Sequence, residues 1–353
     1  MKPSLRAAVI TRRTYNRPLD NNTFETWEQT VDRVIGHQKW LWERAQGYSL
    51  DFVQSSELDD LRNLMLDRKV LTSGRTLWLG GTEISKRREA SQFNCSFTQV
   101  ETVMDVVDVL WLLLQGCGVG FRPIVGQLTG YQKPIQKLTV IRSTRKEKGG
   151  VQHNHETYED GVWTIKVGDS AEAWAKSIGK LLAHKYPARE LVLDFSEIRP
   201  AGERLAGYGW ISSGDSAIAK AYEAIHHILN RRAGSLLTRM DILDIVNWLG
   251  TVLSSRRSAE IALFEYGEDE WAEFAVAKKD FFINNIQRGQ SNNSLLFKTK
   301  PNYAELQHIF DLMVEAGGSE PGFINAREAT KRAPWFKGVN PCVEVLLGQK
   351  SFC

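Results

Sequence analysis

Val162-Trp163-Thr164-Ile165-Lys166-Val167, a break at Gly168-Asp169, then Ser170 and a segment carrying Trp174, Ile178, Leu181 and Leu182, then Glu190-Leu191-Val192-Leu193-Asp194-Phe195. This stretch says most about the fold class. The first run is β-branched and aromatic and ends at turn-forming residues, which reads as a strand. Ser170 can accept from the amides of a helix N-terminus. The four apolar residues after it recur at helical spacing. The run Glu190 to Phe195 reads as a second strand. Strand, amphipathic helix, strand is a βαβ unit, and its two strands are expected to lie parallel.

The same alternation continues downstream. Helical patterns span about 216–232 and 239–253. A strand is expected over Ala259 to Phe264 and a helix over Glu268 to Ala277. Asn293 to Phe297 and Val343 to Leu347 read as strands, with a helix near 302–316 between them. Upstream, Thr102 caps a helix running to Leu114, and Gly116 stops it. The basic stretch with Arg142, Arg145, Lys146 and Lys148 before Gly149-Gly150 reads as a loop or β-excursion, its charges a solvated face. The first part is helical, with one stripe at Trp27, Val31, Val34 and Ile35 and another at Leu58, Leu61, Leu64 and Met65. Glycines interrupt that pattern between Thr72 and Thr82. The expectation is an α/β protein with a mostly parallel sheet: an N-terminal helical region over 1–70, then an α/β domain over 71–353.

Bulk properties narrow the function. The chain has 353 residues, 42% hydrophobic and 25% charged, enough for a sizeable core. With 45 basic and 42 acidic residues the net charge is +3, which argues against a dedicated nucleic-acid binder. The four cysteines, Cys95, Cys117, Cys342 and Cys353, form no CxxC pair and are too sparse for a secreted disulfide scaffold, so neither structural zinc nor any other metal is expected. The N-terminus has no apolar core of a signal peptide, and Val106 to Leu114 is too short to span a bilayer. A cytoplasmic protein with no membrane partner is expected.

The segment Asn340-Pro341-Cys342-Val343-Glu344 carries the most chemistry. Pro341 pushes Asn340 out of the helical region. In an extended segment positions i, i+2 and i+4 share a face, so an amide, a thiol and a carboxylate would converge. A buried cysteine is commonly just a small hydrophobe. Beside a carboxylate, a thiol can instead be a nucleophile, a redox partner or a hydrogen-atom shuttle. Cys353 supplies a second thiol eleven residues on. Asn94-Cys95-Ser96 reads as a cysteine at a strand. Gly116-Cys117-Gly118-Val119-Gly120-Phe121 permits close backbone approach, but lacks the spacing of a dinucleotide fingerprint. Ser291-Asn292-Asn293-Ser294 reads as a turn, and Arg256-Arg257-Ser258 is either a surface pair or a phosphate contact.

Taken in order, these motifs resemble the ribonucleotide reductases, specifically the adenosylcobalamin-dependent class II type and its monomeric ribonucleoside-triphosphate reductase branch. The resemblance runs from Arg13-Thr14-Tyr15 through Ser73-Gly74-Arg75-Thr76-Leu77-Trp78, Asn94-Cys95-Ser96-Phe97 and the Gly116–Phe121 run. It continues through Ile198-Arg199-Pro200-Ala201-Gly202, Arg256-Arg257-Ser258-Ala259 and Ser291–Ser294 to Asn340–Glu344 and Ser351-Phe352-Cys353.

That resemblance implies the first part of a ten-stranded α/β barrel with a radical-bearing finger loop. It implies that Cys342 becomes a thiyl radical and takes the ribose 3′ hydrogen. Glu344 is implied as the base for the 3′-hydroxyl, Asn340 as an amide bonding a substrate hydroxyl, and Cys95 with Cys353 as a redox pair. Ser73, Asn94 and Gly118 match positions near the nucleotide. The helix from Thr102 resembles the region that binds a deoxynucleotide effector, with Glu101, Thr102 and Asp105 as its candidates. The implied cofactor is adenosylcobalamin, the alternative being a radical from a separate metal-containing subunit. The implied partners are the ribonucleotide substrate, a thioredoxin-like dithiol reductant and a C-terminal half of the reductase in cis or trans. Relatives continue past the position of Cys353, so the expectation is the N-terminal portion of a split or interrupted reductase, without an ATP-cone domain. A non-catalytic nucleotide-binding or assembly fragment of a split reductase is the other expectation.

Overall fold

The structure, a computed structural model, describes residues 3–19, 23–205, 207–208, 210–253 and 259–353. The Arg256-Arg257-Ser258 motif therefore lies outside the described residues. Two compact units are present. One comprises Met1–Phe93 with Leu205–Trp210, the other Asn94–Arg204 with Ile211–Cys353.

The first unit is helical. Its helices are Leu5–Thr14, Trp27–Gln46, Phe52–Leu66, Gly74–Leu79 and Glu83–Arg87. Reciprocal capping boxes start two of them, Thr26 with Gln29 and Asp51 with Gln54. Val31, Val34, Met65 and Leu77 form the core, so both expected stripes contribute to it. The segment 72–82 forms a short helix capped by Ser73 rather than an irregular glycine-rich break. Its Leu77 and Trp78 are buried in the core.

Among its described residues the second unit holds twelve strands: β1 (Cys95–Val100), β2 (Gly118–Pro123), β3 (Lys137–Ile141), β4 (His155–Glu159), β5 (Val162–Lys166), β6 (Glu190–Asp194), β7 (Glu260–Glu265), β8 (Ser291–Phe297), β9 (Gly322–Asn325), β10 (Gly338–Val339), β11 (Leu346–Leu347) and β12 (Ser351–Phe352). The βαβ unit forms as expected. β5 and β6 pair in parallel from Val162↔Glu190 to Lys166↔Asp194, joined by the helix Ala171–Ala183. They sit in a four-stranded sheet ordered β3-β6-β5-β4.

The larger sheet is ordered β12-β1-β2-β7-β8-β9. Its members from β1 to β9 run parallel, and β12 is antiparallel to β1. Phe97, Ile261, Leu263, Leu296 and Ile324 project from one face into a shared core with Phe336, Val339 and Leu347. The register places Cys95, Gly118 and Gly120 on that same face, since positions in one cross-strand row point the same way. The helix Arg239–Gly250 lies over the other face, where Gly250 meets Glu260. Ser291–Ser294 belongs to β8 rather than to a turn; Ser291 Oγ donates to Asn293 Oδ1 at 3.0 Å within the strand. Among the described residues no helix is long and apolar enough to cross a membrane.

Candidate active site

The site is built on a hairpin. β10 and β11 pair antiparallel, Gly338↔Leu347 and Val339↔Leu346, and residues 340–345 form the tip. This corrects the extended reading of Asn340, Cys342 and Glu344 and the expected strand Val343 to Leu347, of which only Leu346–Leu347 is a strand. Val343 N–H donates to the Asn340 carbonyl at 2.9 Å, closing a four-residue turn. Asn at the first position and Pro at the second is a standard preference of such turns, and it outweighs the pull toward extended backbone. Val343 adopts φ +66°, a left-handed conformation rare for a β-branched residue. The three residues thus leave a common strand face. Asn340 is fully buried at the hairpin neck, while Cys342 and Glu344 are exposed at the tip.

Glycines let the hairpin lie on the sheet. A Cβ on Gly120 would collide with the Val339 carbonyl oxygen, and one on Gly338 with the Phe97 ring. At Gly118 a Cβ would stand 3.1 Å from Pro341 Cγ and 3.3 Å from the Ala259 carbonyl. Side chains at these positions would lift the hairpin away from β1 and β2.

The thiols meet at the edge of the sheet. β12 pairs with β1 at Ser96↔Phe352 and Phe97↔Ser351, and one further step of the register sets Cys353 opposite Cys95. The Cys353 amide donates to the Cys95 carbonyl at 3.0 Å. Directly opposed residues of an antiparallel pair have Cα atoms about 4.5–5.5 Å apart, within the roughly 4.4–6.8 Å that a disulfide spans. Both are thiols here, Cys95 buried and Cys353 exposed. Asn340 joins them: its Oδ1 accepts from the Val345 amide at 3.0 Å, and its Nδ2 donates to Cys353 Sγ at 3.9 Å. Burial, joined by Cys353 and the Glu344 carboxylate and opposed by Asn340, pushes the Cys95 thiol up to about 11. Asn340, Glu344, Cys95 and Cys353 therefore do converge, through a hairpin and a strand pair instead of one strand. Cys117 is buried, its Sγ 3.5 Å from the Gly118 carbonyl.

The remaining sequence candidates have identifiable surroundings. Asn94 is exposed just before β1, and its carbonyl accepts from the Gly118 amide at 2.8 Å. Ser73 lies in the helical unit, where its hydroxyl caps Gly74–Leu79. Thr102 caps the helix Val103–Leu114 in a reciprocal box with Asp105. Asp105 is buried; its Oδ2 accepts from the amides of Glu101 and Thr102 and from the Thr102 hydroxyl. Burial pushes the Asp105 carboxyl up, but these amides and Lys350 outweigh it and hold it below the usual range. Glu101 Oε1 accepts from Gln127 at 3.5 Å.

Two residues escaped the sequence reading. Lys350 Nζ lies 3.0 Å from both Asp105 Oδ1 and Asp108 Oδ2. The Gln349 side chain accepts from the Gln99 amide at 2.6 Å and donates to the Gln99 carbonyl at 3.2 Å. Their partners lie about 250 positions away, so no local pattern marks them.

The profile of the ribonucleotide reductase alpha domain family matches residues 4–82. The adenosylcobalamin-dependent ribonucleoside-triphosphate reductase of Lactobacillus gasseri is 30% identical over 98% of this chain and 53% of its own length. By sequence and fold, this chain is a relative of the ribonucleotide reductases. The reductases of the same name from Lactobacillus leichmannii and Euglena gracilis are each 28% identical, over 53% and 47% of their lengths. A crystal structure of a B-12 dependent (class II) ribonucleotide reductase superposes with a TM-score of 0.78 over 97% of this chain and 54% of that one, at 23% identity, a likeness of fold. The chain spans about half the length of the curated reductases it matches.

Proposed function

We propose that this chain carries the thiol site of an adenosylcobalamin-dependent reductase that converts ribonucleoside triphosphates to 2′-deoxyribonucleotides for DNA synthesis. The observation that carries the reading is the meeting of Cys95 and Cys353 in register, with Asn340 and Glu344 beside them and Cys342 exposed on the same hairpin.

Each group has a chemical task. Cys342, as a sulfur radical, takes the hydrogen from the ribose 3′ carbon, and Glu344 accepts the 3′-hydroxyl proton. Cys95 stays protonated at neutral pH because its thiol is pushed up, so it can give a proton to the departing 2′-hydroxyl, which leaves as water. Cys95 and Cys353 then supply two electrons and join as a disulfide, which an external dithiol such as a thioredoxin reduces. Cys342 finally returns the hydrogen to the 3′ carbon. Asn340 is committed to the hairpin through Oδ1 and to the thiols through Nδ2, so its amide steadies the sulfurs as well as any substrate hydroxyl. The strained, exposed tip suits a thiol that must be reached by a cofactor. Adenosylcobalamin, when bound, would supply the one-electron oxidation of a thiol, and Cys342, exposed at the hairpin tip, is the thiol proposed to undergo it. The similar reductases are adenosylcobalamin-dependent by name, which favours this source over a separate metal-containing subunit.

Gly118 and Asn94 flank the thiols and are proposed to border the nucleotide. Glu101 and Thr102 are proposed for a deoxynucleotide effector. Asp105, occupied by its helix and Lys350, would act there through the helix cap. The remaining length found in the relatives is proposed as a partner segment, in cis or in trans.

The test is deoxynucleotide formation from ribonucleoside triphosphate, with adenosylcobalamin and a dithiol, by a polypeptide carrying this chain and that remaining length. Cys342→Ser is expected to abolish turnover and to leave nucleotide binding intact. Turnover by the Ser variant refutes the assignment.

A further inference from the structure

We infer that Lys350 is a positioning residue that holds β12, and with it Cys353, opposite Cys95. The inference rests on the reading of those cysteines as a redox pair. β12 has only two residues, and the isolated pairing of so short a strand is weak. What precedes it is a turn in which Lys350 takes φ +52°, a left-handed conformation that favours glycine or asparagine. A lysine there is backbone-costly, and its side chain reaches two carboxylates at 3.0 Å. One of them, Asp105, is buried and already fixed by the amides of Glu101 and Thr102, so it is a rigid anchor. The other, Asp108, lies one turn further along the same helix, Val103–Leu114. Gln349 adds two hydrogen bonds to Gln99 on β1. The anchors are on the helix Val103–Leu114 and on β1, outside the hairpin, while Cys353 is three residues from Lys350. Without the ammonium, the turn and β12 keep the Gln349 hydrogen bonds, the backbone pairing to β1 and the Asn340 contact to Cys353, but lose the tie to the helix Val103–Leu114.

The consequence falls on ring closure. A small-molecule disulfide such as oxidised glutathione reacts first with the exposed Cys353 thiolate, releasing one glutathione thiol and leaving a mixed disulfide. Cys95 then displaces the second glutathione as its sulfur bonds to Cys353; overall two protons and two electrons leave the cysteines and reduce the reagent. The first step needs only an accessible Cys353. The second needs Cys353 held opposite Cys95, and it is the step Lys350 serves.

Lys350→Asn keeps a residue tolerant of the left-handed turn but removes the ammonium, and Lys350→Arg keeps the cation. Both steps are followed by mass spectrometry on the chain in oxidised glutathione. The expected result is an unchanged first step, a closure slowed about tenfold in Lys350→Asn, and closure restored in Lys350→Arg. Asp108→Asn, which removes only the exposed arm, is expected to slow closure less; it stands in if Lys350→Asn loses its folded circular-dichroism spectrum. Equal closure rates in wild type and Lys350→Asn, or in wild type and Asp108→Asn should it stand in, overturn the inference and leave the redox pair standing. A wild-type chain that forms no Cys95–Cys353 disulfide overturns the redox-pair reading and this inference with it.

Discussion

The Cys95 thiol offers the most direct physical test of the site. Its value is raised from 9.0 to about 11, chiefly by burial. Alkylation by iodoacetamide proceeds through the thiolate. A two-unit rise leaves about 100-fold less thiolate at pH 7 to 8 than an ordinary cysteine has. The rate at Cys95, read by peptide mass spectrometry on the folded chain, should therefore climb about tenfold per pH unit up to pH 10 and bend only near 11. In guanidinium the same residue should bend near 9. The sign for stability follows from linkage. Between pH 9 and 11 the folded chain holds a proton that the unfolded chain has lost, so stability falls as pH rises through that window. The full loss is about 3 kcal/mol, complete above pH 11. A Cys95 alkylation profile that levels off below pH 9.5 in the folded chain would refute the placement of this thiol among burial, Cys353 and Glu344.

Three further outcomes are expected. Gly120→Ala drives a methyl into the Val339 carbonyl and should cost about 1–3 kcal/mol in urea unfolding, with faster Cys95 alkylation as the hairpin lifts. Asp244→Ala leaves Arg288 without the carboxylate it pairs with at 2.7 and 2.8 Å. That pair is largely buried, so the loss should be about 3–5 kcal/mol and insensitive to salt. Thr102→Ala removes the hydroxyl half of the capping box and should cost about 1 kcal/mol by thermal denaturation, with little change at Cys95.

Much of the fold was readable from local pattern. The βαβ unit over 162–195 and the caps Thr102 and Ser170 are dictated by residues close in sequence, and they form as the pattern implies. Where the reading failed, a second local preference competed. Asn340-Pro341 is both a helix breaker and a turn opener, and the alternation argument used only the first property. At Ser291–Ser294 the polar side chains satisfy one another inside a strand, which composition alone cannot distinguish from a turn. The site was legible as a set of residue types but not as a geometry. Cys95 and Cys353 meet because a two-residue strand returns to β1 across more than 250 positions, and Lys350 finds Asp105 by the same return. No periodicity in the chain carries that information.

The hairpin's bed also sets how this protein can vary. At Gly120 and Gly338 backbone or ring atoms occupy the space where any side chain would begin. Phe97 and Ile261, on the same face, sit in an apolar core that can exchange one hydrocarbon for another. A saturation scan of the site should therefore show permissive columns at 97 and 261 beside two columns, 120 and 338, that accept glycine alone. Genetic drift could remodel the walls around the thiols while the floor beneath them stayed frozen.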